Sequence, residues 1–257
     1  MGVYIYKRGI KKIAVVLGGI MVCALILNVT IFNEEFSMAT VTGADRKLPI
    51  YCVDVTEKKI AISFDAAWGN EHTKPILDIL DKYEVKTTFF LVEFWVDKFP
   101  EEVREISKRG HELGNHSSTH PNMPELSAHK MQQELKGVEG KIVTLTGKKP
   151  TVFRPPFGAY DNQLMEVAKT NGYQVIQWSV DSLDWKKISS EQIVERVCRN
   201  VRPGSIVLFH NNAEHVERYL PLILETLKAD GYSIVPVGEL ILKKNYHMDS
   251  AGKQIAN

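Results

Sequence analysis

Lys59-Ile60-Ala61-Ile62-Ser63-Phe64-Asp65-Ala66-Ala67-Trp68-Gly69 begins as an Ile- and Phe-rich run, Lys59 to Asp65, that reads as a buried strand ending on a carboxylate. A helix follows it. Thr73 is placed to cap that helix, Pro75 to sit in its first turn, and Ile76, Ile79, Leu80 and Tyr83 recur at helical spacing. The same unit then repeats. Thr87 to Val92 is β-branched and aromatic, Pro100 to Arg109 is a helix stopped by Gly110, and Ser127 to Leu145 carries Met131, Leu135, Val138, Ile142 and Leu145 on one stripe before Gly147. Tyr173 to Asp181, Ser205 to Asn211 and Tyr232 to Val237 read as further strands, separated by a helix capped by Ser190 and another over Leu220 to Ala229. This alternation predicts an α/β fold with a parallel sheet closed or nearly closed into a barrel, whose functional groups gather where strands end.

The 257 residues give room for one large domain, and 32 basic against 31 acidic side chains leave no charge footprint for nucleic acid. Lys7, Arg8, Lys11 and Lys12 precede the uncharged run 13–32, which is long enough to span a bilayer. The positive charge before it, with Glu34 and Glu35 after, predicts a cytoplasmic segment 1–12, a transmembrane anchor or signal at 13–32 and an extracytoplasmic remainder, single-pass at the cell membrane or secreted. A linker over 33–56 is expected before the domain at 57–242, with a frayed polar tail at 243–257. Cys23 falls in the span, and Cys52 and Cys198 are expected as free, buried thiols.

Several short stretches carry chemistry. His116 and His120, four apart, would share one side of a helical turn and could hold one divalent ion; the same spacing also serves surface or capping histidines. Arg154-Pro155-Pro156-Phe157-Gly158 fixes a backbone beside a planar guanidinium able to orient a carboxylate, or forms an ordinary turn. Asp181-Ser182-Leu183-Asp184-Trp185 pairs acids with an aromatic wall suited to a sugar ring, or forms a solvated loop. His210 ends the apolar run Leu208-Phe209-His210, where a histidine is either a satisfied core residue or a catalyst.

Taken in order, Ser63-Phe64-Asp65, His116-x-x-x-His120, Arg154 to Gly158, Asp181 to Trp185 and Leu208 to His210 resemble the five motifs of the polysaccharide deacetylases of the NodB-homology type, over residues 57–242. The resemblance implies a distorted (β/α) barrel and metal-assisted removal of acetyl groups from N-acetylated sugars of peptidoglycan or a related glycan, by a monomer. It makes Asp65 the general base, His210 the general acid, and His116 and His120 the ligands of a divalent metal, Zn before Co or Mn. Arg154 would orient Asp65, and Asp184 would orient His210. Trp185 and Leu208 would line the acetyl pocket, the N–H of Phe157 would face the oxyanion, and Asp181 would contact substrate. Where the family usually has a second aspartate after the base, this chain has Ala66, which implies a weakly held ion or a glycan-binding member without turnover. The form Phe-Asp-x-x-Trp-Gly is also similar to a membrane-anchored subgroup associated with sporulation, a setting that would place the protein at the forespore.

Overall fold

A computed structural model of the protein describes residues 46–257 apart from Lys187. The expected segments 1–12 and 13–32, Cys23 and the first part of the linker lie outside the described residues. None of the described helices is long and apolar enough to cross a membrane.

The run that opens the sequence reading forms β2 (Lys59–Ala66), the central strand. Pairing on one side continues through β3 (Thr88–Leu91), β4 (Glu112–Asn115), β5 (Val152–Phe153) and β6 (Gln174–Val175). On the other side lie β8 (Ile206–His210) and then β7 (Val180–Asp181), while β9 (Ser233–Val235) pairs with the start of β2. Every ladder of this sheet is parallel, as crossovers through helices require. The helices are α1 (Thr73–Lys82), α2 (Glu93–Lys98), α3 (Pro100–Lys108), α4 (Ala128–Thr146), α5 (Asn162–Thr170), α6 (Ser190–Asn200), α7 (Val216–Ala229) and the short α8 (Val237–Leu240).

The sheet curls but β6 and β7 do not pair with each other. Tyr173 to Asp181 is therefore two short strands and not the single strand expected. Ile50 enters at that opening: its N–H donates to the Val175 carbonyl at 2.9 Å, and its own carbonyl accepts from Gln177 N–H at 2.8 Å. The linker and tail boundaries also shift. β1 (Cys52–Val53), β10 (Tyr246–Met248) and β11 (Lys253–Ala256) form a second sheet in the order β1-β11-β10, so the compact unit runs from Lys47 to Asn257. Residues 243–257 look polar because this small sheet buries little beyond Gly252, whose carbonyl accepts from Tyr51 N–H, and Gln254, not because they fray.

Alternation along β2 divides the core. Ile60, Ile62, Phe64 and Ala66 face the helical layer, whereas Ala61, Phe90, Val152, Ile176 and Ile206 fill the sheet's interior. Phe64 stacks on Phe89 (5.1 Å) and Phe209 (5.7 Å), and Phe209 on Tyr219 of α7 (6.0 Å), an aromatic row across three strands. Helix starts differ in detail from the reading. His72, not Thr73, precedes α1, because Thr73 is buried as its first residue; Ser189, not Ser190, caps α6, since its hydroxyl accepts from Gln192 N–H while Gln192 returns the bond. Cys52 and Cys198 are free, as expected, but half-buried.

Gly204 carries a φ of +80°, and a Cβ there would lie 1.7 Å from the Val53 carbonyl oxygen, the chain that supplies β1. Gly140, exposed on α4, has nothing within 4 Å. Gly204→Ala should therefore destabilise by about 3 kcal/mol or more. Gly140→Ala should instead stabilise by up to about 1 kcal/mol. Urea unfolding of the two variants checks the contrast.

Candidate active site

The strand ends on the carboxyl side of the sheet surround a cavity of roughly 510 Å³ that includes Asp65, His116, His120, Phe157, Trp185 and His210 in its lining. Asp181 and Leu208 also line it, whereas Arg154 and Asp184 stand behind as supports. Asp65 and His210 are register partners on β2 and β8, so their backbones lie one strand spacing apart, about 4.8 Å.

Arg154, fully buried, donates from Nη1 to Asp65 Oδ1 at 2.7 Å and from Nη2 to Ser63 Oγ at 2.9 Å and the Gln177 carbonyl at 3.2 Å. Its guanidinium also lies 4.2 Å from the centre of the Phe90 ring. Burial opposes ionisation of Asp65, but Arg154, His116 and His210 together outweigh it and hold the carboxyl below its ordinary value. Asp65 is an anion held in one orientation.

His116 Nδ1 lies 2.7 Å from the Arg154 carbonyl oxygen, so that nitrogen carries the proton and donates. In the neutral ring Nε2 then presents its lone pair, 3.5 Å from Asp65 Oδ2. His120 does not share a helical turn with it. Ser117 (φ 71°) and His120 (φ 57°) take left-handed backbone in a loop after β4. Asn115 Oδ1 accepts from Ser117 N–H, and Glu134 of α4 accepts from the N–H groups of Ser118 and Thr119. These anchors, absent from the local spacing, fold the loop so that the two rings still meet edge to face at 5.0 Å. Burial lowers both imidazoles; with the His116 charge added, His120 falls to about 4.

His210 Nδ1 donates to Asp184 Oδ1 at 2.8 Å, and its backbone N–H to Asp184 Oδ2 at 2.8 Å. Tyr219 adds its hydroxyl to the same carboxylate at 3.3 Å. The Asp181 carboxylate accepts from Leu183 N–H, a turn after which Asp184 is buried behind His210 and Trp185 is exposed on the rim. Phe157 sits at φ 59°, which projects its exposed ring beside His120 at 4.6 Å.

Catalytic zinc centres use three protein ligands, and among the described residues no cluster of three or more His, Cys, Asp or Glu is arranged to hold an ion. The donor set fits a weak two-nitrogen hold by His116 and His120. Ala66 is buried in the outer apolar layer, and Ala67 takes the inward position, so neither residue after Asp65 supplies a donor. Asn70, Glu71 and His72, the potential donors on the loop that follows, are turned to other partners: Asn70 Nδ2 donates to Glu102, Glu71 Oε2 accepts from Asn70 N–H, and His72 pairs with Glu217 at 2.7 Å.

Sequence reasoning missed Glu134, Tyr219 and Asn211. Asn211 follows His210 directly and is fully buried, and its amide donates to the Gly69 carbonyl at 2.9 Å, which ties β8 to the loop after β2. Its place beside a motif histidine was the available signal; Glu134 and Tyr219 had none.

Burial acts to lower the His210 pKa, but the Asp184 hydrogen bond and charge, with Asp65 and Asp181, raise it above 6.5 overall. A raised value in the folded state means the pair stabilises fully below about pH 6.5 and that this contribution is lost as pH rises through the folded pKa. Asp184→Asn should lower the His210 titration, followed by imidazole NMR, relative to the parent. Its stability deficit against the parent should be largest below about pH 6.5 and shrink as pH rises through the folded pKa of His210.

The family profile described as polysaccharide deacetylase matches residues 53–176. The chain is 36% identical over 195 residues to a peptidoglycan-N-acetylglucosamine deacetylase of Bacillus cereus, covering 74% of this chain and 91% of that one. It is 30% identical over 204 residues to the peptidoglycan-N-acetylmuramic acid deacetylase PdaA of Bacillus subtilis, covering 78% of each. Among solved structures it is similar to a CE4 family pseudoenzyme from Bacillus anthracis, at 33% identity and TM-score 0.72 over 80% of this chain and 69% of that one. A mutant of that pseudoenzyme with restored enzymatic activity matches at 34% and the same TM-score, over 80% of this chain and 72% of that one. With its ordered strand-end motifs gathered on one cavity, the chain belongs to the polysaccharide deacetylase family.

Proposed function

We propose that the protein hydrolyses the N-acetyl group of amino sugars in peptidoglycan or a related glycan, outside the membrane that the 13–32 run would anchor it to. The observation that carries this reading is the pairing of Asp65 and His210 as register neighbours on β2 and β8, each braced by its own partner. Asp65, kept ionised by Arg154, accepts a proton from the water that attacks the acetyl carbon. His210, its Nδ1 committed to Asp184, turns Nε2 outward and in its protonated form gives that proton to the sugar nitrogen as the C–N bond breaks. Acetate and a free amine leave. A divalent ion on His116 and His120, zinc by the preference of late divalent metals for imidazole nitrogen, would supply Lewis-acid polarisation of the acetyl oxygen. The likeness of the Phe-Asp-x-x-Trp-Gly stretch to a sporulation-associated subgroup favours cell-wall glycan, the spore cortex included, as the natural polymer.

A second reading has its own support. Both residues after Asp65 are alanine, and the chain is similar to a pseudoenzyme whose mutant regained activity. In this reading the cavity binds glycan without turning it over.

Acetate release from N-acetylglucosamine oligomers with added Zn²⁺ separates the two. Hydrolysis predicts measurable release that Asp65→Asn and His210→Ala each cut by about a hundredfold or more. No release by the parent, with glycan binding intact in chelator, sinks the enzymatic reading. Ala67→Asp, on the cavity face, should tighten Zn²⁺ binding measured by calorimetry, whereas Ala66→Asp places a carboxylate against the apolar layer unless the strand end turns it inward. Should Ala66→Asp bind the ion more tightly without loss of stability, the outward placement of position 66 is wrong.

A further inference from the structure

Beyond the motif residues, the mouth of the cavity carries an exposed aromatic face that the catalytic reading does not use. Trp68 is 57% exposed and Phe94, from α2, is 39% exposed; their ring centres lie 6.2 Å apart. Large apolar side chains left in water beside a cavity mark a contact surface for a ligand. Trp68 also meets the His120 ring at 5.1 Å, and Phe157, 71% exposed, meets the same ring at 4.6 Å. The apolar face thus runs without a break from the rim into the cavity.

The loop that carries Trp68 is held firmly. The Gly69 carbonyl accepts from Trp95 Nε1 at 2.6 Å and from Asn211 Nδ2 at 2.9 Å. Gly69 itself has φ +63°, and a Cβ there would lie 2.4 Å from the Glu71 carboxylate and 3.5 Å from the Asn212 Cβ. Trp68 is therefore presented to solvent from a rigid turn, with the exposed Asn212 amide beside it and also on the cavity lining. An indole face and an adjacent amide match a pyranose: the ring's C–H face packs on the aromatic, and its hydroxyl or acetamido groups pair with the amide.

We infer that Trp68, backed by Phe94 and flanked by Asn212, is the platform for a sugar unit next to the one that reacts, and so selects glycan chains over single sugars. The inference rests on the reading of the cavity as a glycan site. Trp185, 59% exposed on the loop after β7, stands on the other arm of the sheet, so the bound chain crosses the mouth between two aromatic walls.

The test is ligand-observed NMR binding of N-acetylglucosamine and of its β-1,4 tetramer to the full chain in chelator, which removes turnover and metal from the readout. Trp68→Ala should weaken tetramer binding by about tenfold and leave the monosaccharide within about twofold, while Trp68→Phe should keep most of the affinity. Equal loss for both ligands would mean that Trp68 only steadies His120, and no loss would mean that it contacts nothing; either overturns the platform. A parent that binds no tetramer overturns the platform and the glycan reading together. Trp68-dependent tetramer binding without acetate release in Zn²⁺ overturns hydrolysis alone. If Trp68→Ala instead abolishes concentration-dependent self-association and leaves tetramer binding unchanged, the face belongs to a second copy of the chain.

Discussion

The buried contact between Arg154 and Asp65 sets the terms for everything around it. A guanidinium with no exposed surface is tolerable only when its charge is matched, and Asp65 does this while Ser63 and the Gln177 carbonyl take further donors, from β2 and the strand region beyond β6; Nε alone is left without a partner. Removing either partner leaves an uncompensated charge in the interior, so the ionisation of Asp65 and the integrity of the sheet's inner face are one constraint. The same residue acts a second time through its backbone. Its carbonyl fixes the tautomer of His116, which decides that Nε2 and not Nδ1 faces the cavity. Base orientation and imidazole orientation thus descend from the placement of a single residue at the end of β5.

Much of this was legible because strand ends in a parallel α/β fold are where distant motifs converge. Asp65 and His210 lie on strands whose β-branched and aromatic runs were plain, and Asp184 follows the Tyr173 to Asp181 run; Arg154 follows the two-residue β5, which has no such run, and only its motif pointed to it. What escaped was conformation set by remote partners. The His116–His120 spacing suits a helical turn, yet two left-handed residues and the Glu134 carboxylate, sixteen positions from Ser118, build a loop instead. Likewise the tail at 243–257 carries few apolar residues, and its strands exist because β1 offers an edge far away in sequence. Local propensity carries no trace of such a partner.

The site is uneven in its provisions. Proton transfer is fully equipped: an oriented anion, an imidazole with a carboxylate behind it, and the Tyr219 hydroxyl steadying that carboxylate. Electrophilic assistance has only two neutral rings. Strand alternation explains part of this, because Ala66 faces the helical layer with Phe64 while the inward place goes to the methyl group of Ala67. The rest of the lining is largely aromatic: Trp68, Phe157 and Trp185 stand exposed at the mouth of the cavity.

The small sheet joining β1 to β11 has a kinetic meaning. Cys52 pairs with Lys253 about 200 residues later, and Gly204 must already be in place for Val53 to pass. So large a separation in sequence makes the contact costly in loop closure and places it late in folding. Until then the β1 segment is held elsewhere: Ile50 bridges to Ile176 beside β6, Cys52 to Ser205, and Val53 N–H donates to the Gly204 carbonyl. The barrel's seam and the small sheet are therefore separable: Ile50 fills the first through Val175 and Gln177, whereas the second rests on the pairing of β1 with Lys253 and Gln254.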